Sequence, residues 1–156
     1  MKKVSTYRIF KEWKLIITYY AEEICIEDIK VLMGQLSKEP DYCPNYPVIN
    51  DFRNCNLHIT PDELKEYIQF LDKDLQIINK RRIGFLTERP NEVVVTHLFS
   101  DYIFSTSLHG RVFSTTNSLL KWLSIDYMDE KEFEDIVLEM KTEAYELYAL
   151  FLPTLN

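Results

Sequence analysis

The sequence predicts an α/β fold: a four- or five-stranded mixed sheet with an opening hairpin and flanking helices, plus an extra C-terminal helix. Three observations carry this. Apolar runs rich in β-branched and aromatic residues alternate with segments of helical spacing in the order β-β-α-β-α-β-α-β-α, and strands that feed helices build largely parallel sheets. The first two runs are joined only by Lys11-Glu12, a link too short for a crossover, which makes them an antiparallel hairpin. From Asp129 onward Phe133, Ile136, Val137, Met140, Ala144, Leu147, Tyr148 and Phe151 form an apolar stripe about five turns long.

In chain order, Thr6 to Phe10 and Trp13 to Tyr20 read as the hairpin strands. Leu15, Ile17 and Tyr19 share one face of the second, and Ile16, Thr18 and Tyr20 the other, so that strand belongs inside the sheet. A helix begins near Cys25, with Glu27 and Asp28 in its first turn and Ile29, Leu32, Met33 and Leu36 as its buried stripe, and it ends before Pro40. The stiff loop from Glu39 to Pro47, with three prolines in nine residues, leads into Tyr46 to Asn54, whose apolar run Val48-Ile49 marks the central strand.

Thr60-Pro61-Asp62-Glu63 has the hydroxyl, proline and glutamate of a capping box, followed by Leu64, Tyr67, Ile68, Leu71, Leu75 and Ile78 at helical spacing. Basic Lys80-Arg81-Arg82 leads into a short buried strand, Ile83 to Thr87. Pro90-Asn91-Glu92 opens the next helix, on which Val94, Leu98 and Tyr102 recur every four residues. Arg111 to Ser114 reads as the last strand and Asn117 to Leu123 as a short helix. The divisions expected are an α/β domain over residues 1–125 and a helical extension of the same domain over 126–156.

A chain of 156 residues fits one domain, which at this size buries roughly 68–70% of its unfolded surface and holds a core without disulfide or metal. The net charge of −7 argues against nucleic acid as a partner, because phosphate-backbone binding depends on clustered Lys and Arg. Arg8, Lys11, Glu12 and Lys14 interrupt any secretory apolar run behind the basic start, and no stretch approaches the ~20 apolar residues of a membrane span. Cys25, Cys43 and Cys55 are odd in number and lack C-x-x-C spacing, which fits a reducing compartment. A cytoplasmic protein without membrane insertion is the expectation.

The hairpin, the strand Val48-Ile49-Asn50-Asp51-Phe52, the β-α-β continuation and above all the ending Arg111-Val112-Phe113-Ser114-Thr115-Thr116-Asn117-Ser118-Leu119-Leu120-Lys121-Trp122-Leu123 resemble the STAS-like superfamily, named after sulphate transporters and anti-sigma factor antagonists. The resemblance spans about residues 4 to 125 and implies a non-catalytic regulatory or protein-interaction domain with a protein partner. Regulatory members carry an Asp-Ser-Ser-Gly-type segment, whose serine a partner kinase phosphorylates, at the helix after the central strand. Here that stretch is His58-Ile59-Thr60-Pro61-Asp62-Glu63, without the segment. Thr60 stands where helix amides would favour a phosphate, while its plain reading is an N-cap.

The site expected is a crevice at the strand ends, formed by Asp51, Arg53, Thr60, Thr87, Arg89 and Asn91. Its two arginines and two helix N-termini suit a small anion or carboxylate; the alternative is an ion pair of Asp51 with Arg53 or Arg89. His58, His97 and His109 lie in separate elements without metal-ligand spacing, and neither G-x-S-x-G nor a Gly-rich phosphate loop occurs, so neither catalysis nor a cofactor is expected. The second functional reading is a small-ligand domain for a lipid or anion, with aromatics lining a pocket. The C-terminal stripe must be covered, by its own domain or by a second copy in a homodimer.

Overall fold

A computed structural model describes residues 2–75, 81–103 and 108–152, without the side chains of residues 90–92. It contains strands β1 (Lys3–Phe10), β2 (Leu15–Cys25), β3 (Val48–His58), β4 (Arg82–Leu86) and β5 (His109–Phe113). The helices are α1 (Ile26–Leu36), α2 (Pro61–Gln69, closed by a π-helical turn, Phe70–Asp74), α3 (Pro90–Tyr102), α4 (Thr116–Trp122) and α5 (Glu130–Phe151). The five strands lie in the order β1-β2-β3-β4-β5. β1 runs antiparallel to β2 and every other pair is parallel, as hairpin and crossover connections require.

Strand alternation splits the core in two. Ile16, Tyr20, Val48, Phe52, Ile83 and Phe85 face α1, α2 and α3. Leu15, Ile17, Tyr19, Ile49 and Leu86 face α4 and α5. The second layer approaches closely at Gly84, where an added Cβ would lie 2.1 Å from Leu119 Cδ1. Helix α5 lays Phe133, Val137, Met140 and Ala144 on this face. Arg8 of β1 ties it down through Glu139 and Glu143, at 3.2 and 2.9 Å. Asp129 and Glu132 form a capping box at its start.

Several boundaries differ from the sequence reading, each because a tertiary contact outweighs local propensity. The hairpin turn takes residues 11–14, with Lys14 in the left-handed region at φ 51°. Trp13 therefore belongs to the turn rather than to β2, and its ring stacks between Phe10 and Tyr127. β2 continues to Cys25 because β3 pairs with it as far as His58. β4 ends before Thr87, and β5 starts at His109 rather than Arg111. On α3 the buried apolar positions are Val95 and Phe99, one residue round from the expected stripe, and Val94 is exposed. Ile78 and Lys80 lie outside the described residues.

Candidate functional site

Asp51 and Arg53 do not close their strand, because β3 runs on to His58. Tyr19 pairs with Asp51 and Ala21 with Asn54, so Phe52 and Arg53 together oppose Tyr20 in a bulge. Two-residue alternation along β3 sets Arg53 on the α5 face beside Asp51. Arg53 donates from its backbone amide (3.1 Å) and Nε (2.9 Å) to Asp51 Oδ1, and from Nη2 (2.6 Å) to Oδ2. It also donates from Nη1 and Nη2 to the two oxygens of Glu134 on α5, at 2.8 and 3.1 Å. Thr116 Oγ1 donates to the same Glu134 carboxylate at 2.7 Å.

Burial acts against the charge on Arg53, but the hydrogen bonds and charges of Asp51 and Glu134 outweigh it and raise its pKa. Burial likewise pushes the Glu134 carboxyl up, and the hydrogen bonds of Arg53 and Thr116 with the Arg53 charge bring it below the usual value. The group is a saturated cluster joining β3, α4 and α5.

The other expected residues go elsewhere. Arg89, the N-cap of α3, donates to the side chain of Asn56, which in turn donates to Glu23, the carboxylate that also meets His58. Thr60 is exposed and caps α2: Glu63 N donates to its Oγ1 at 3.2 Å, and Glu63 Oε2 accepts from its N at 2.8 Å. Thr87 is buried, and its Oγ1 has no hydrogen-bond partner among the described residues. Asn91 lies in the first turn of α3, and its side chain is outside the described residues. Asp51 and Arg53 are thus brought together, while Arg89 and Thr60 are engaged by other partners.

A second location was not legible in the sequence. Between the sheet and the α1–α3 layer lies a cavity of about 50 Å³. Its walls are mainly aliphatic and aromatic, including Phe52, Leu64, Tyr67, Leu71, Phe85 and Phe99. Arg81 also lines it. Arg81, the residue just before β4, is on this side with Ile83 and Phe85, whereas Arg82 goes to the other side and donates to the carbonyls of Trp122 and Leu123.

Arg81 is 1% exposed. Its Nη1 donates to Tyr42 Oη at 3.1 Å and its Nη2 to the Cys43 carbonyl at 2.9 Å. The guanidinium lies 5.2 Å from the Tyr42 ring centroid. Its Nε is buried without a partner among the described residues. Burial holds the Tyr67 hydroxyl pKa well above its ordinary value, only partly opposed by the Arg81 charge, so the phenol stays protonated. The one sequence signal was the basic run ahead of a buried strand, which does not say which of its members turns inward.

Among the described residues no group of three or more His, Cys, Asp or Glu is placed to hold a metal ion, and no helix is long and apolar enough to cross a membrane.

Neither a family model nor a curated protein matches the chain. Among solved structures it is similar to an uncharacterized protein of the DUF3478 family, with a SpoIIAA-like fold, from Shewanella loihica PV-4. The similarity has a TM-score of 0.52 at 10% identity and covers 79% of this chain and 96% of that one. The five-stranded mixed sheet with its two helical layers is therefore a SpoIIAA-like, STAS-like α/β fold.

Proposed function

We propose that the protein is a non-catalytic binding domain that takes a small, largely apolar molecule between its sheet and its α1–α3 layer. The observation that carries this reading is the cavity itself, apolar over most of its wall yet furnished with a buried guanidinium whose Nε has no partner among the described residues. Interiors normally close such space and pair such groups, and apolar pockets with few convergent polar groups are the usual form of small-molecule sites. Described side chains around it supply rings, aliphatic chains, an amide, hydroxyls and one guanidinium, a set suited to holding a molecule rather than turning it over.

Thermal shift with small neutral apolar probes tests this. A rise in melting temperature that disappears when Val95→Trp fills the space is expected; no shift with any small-molecule probe, neutral or charged, and no co-purifying small molecule in native mass spectra, would remove the reading.

A second reading, a regulatory or protein-interaction domain of the STAS-like type, has its own support. The stripe that α5 buries at Met140 and Ala144 continues to Leu147 and Phe151, which are 50% and 81% exposed, with Leu150 beside them at 79%. This surface suits a protein partner, or a second copy in a homodimer. Light scattering and cross-linking of the wild type against a Leu147→Lys, Phe151→Lys variant check it. Loss of an assembled species without a change in melting temperature is expected.

A further inference from the structure

We infer that the occupant of the α1–α3 cavity is a small carboxylic acid with a short apolar tail, its carboxylate received by Arg81. This rests on the reading of the cavity as a binding site and adds the charge and size of what binds there.

Arg8 and Arg53 each hold two carboxylates. Arg81, buried more completely than either, holds none, and its partners are a phenol and a backbone carbonyl. A chain with 25 acidic residues has carboxylates in plenty, yet the structure places none of the described ones against its most deeply buried cation. A desolvated charge is stable only when paired or well hydrogen-bonded. A guanidinium meets a carboxylate best, through directed N–H donors, and the Nε–H of Arg81 is a donor without a partner among the described residues.

The remaining walls define the rest of the molecule. Val48 and Ile83 lie on adjacent strands in register, and Phe52 and Phe85 stand further along the same face. They offer a tail only apolar contact. The neutral Tyr67 hydroxyl adds a donor without adding charge. A single cation matches a monoanion, whereas a phosphate dianion would leave one charge unmatched among aromatic rings. The volume of about 50 Å³ compares with ~10–15 Å³ of that kind for one water, which suits a short acid and not a long-chain one.

Calorimetric titration at neutral pH with butanoate and 3-methylbutanoate, each against its neutral amide and against formate, decides the matter. The acids should bind the wild type roughly ten- to a hundredfold more tightly than their amides, the range expected of a hydrogen bond to a charged group, and more tightly than formate. Arg81→Met should bring acid and amide to similar affinity. If that variant does not fold, the wild-type acid-to-amide ratio decides alone.

Equal affinity for acid and amide overturns the inference while leaving the cavity reading in place. Binding of formate as strong as that of butanoate, or acid binding unchanged in a folded Arg81→Met protein, overturns it too. If neither acids, amides nor other neutral probes bind, the inference and the cavity reading fall together.

Discussion

Arg53 and its two carboxylates show how a short-range pattern becomes a long-range tie. The pairing of Asp51 with Arg53 is readable from two-residue spacing on a strand, but Glu134, 81 residues away, is not. Asp51 is fully buried, so Arg53→Met leaves an uncompensated charge and should cost about 3–5 kcal/mol in urea denaturation. Glu134 carries a pH dependence of known sign. Its folded pKa lies below the ordinary 4.5, so its contribution is complete above that value and fades as pH falls through the lowered one. Glu134→Gln should therefore destabilise the protein at pH 7 and lose less further stability than the wild type on acidification to pH ~3. Equal slopes for the two proteins would contradict the assignment.

At the scale of elements, caps and close approaches determine where helices sit. The Thr60 capping box is legible because its signature is local, and Thr60→Ala should cost about 1 kcal/mol. Gly84 belongs to the other kind. Nothing in Ile83-Gly84-Phe85 says that a helix from later in the chain will press against it, yet the Leu119 side chain occupies the place a Cβ would take. Gly84→Ala must displace Leu119, itself fully buried, and should lower stability by about 1–3 kcal/mol. A melting temperature equal to that of the wild type would show that α4 yields freely. The α3 stripe was displaced by one position for a related reason: Val94, Val95, Leu98 and Phe99 allow two apolar faces, and the floor of Phe85 and Phe52 selects the one bearing Phe99.

For the molecule as a whole, the sheet, with β3 as its middle strand, separates two cores. Ile49 is fully buried on the α5 side, so Ile49→Asp places an unpaired charge there at a cost of several kcal/mol and should abolish cooperative folding, seen as loss of the thermal transition. Helix α5 covers β1 and β2 on that side through Phe133, Val137, Met140 and Ala144. A chain cut after Leu123 would leave Val4, Ile17, Tyr19 and Ala21 wet, and light scattering should show aggregation. A folded monomer from that truncation would mean that α5 is dispensable to the core.

The sequence by itself determined the order of elements, the hairpin, the interior position of β2 and β3, and the cap at Thr60, because each follows from side-chain period or from contacts within a few residues. It also carried the resemblance whose fold the structure shows. Tertiary structure alone decided that β3 bulges at Phe52-Arg53, that Glu134 completes the cluster at Asp51, and that Arg81 rather than Arg82 enters the cavity. Those outcomes depend on register between strands and on which helix covers which face. Residues far apart in the chain settle them together, so no local pattern records them.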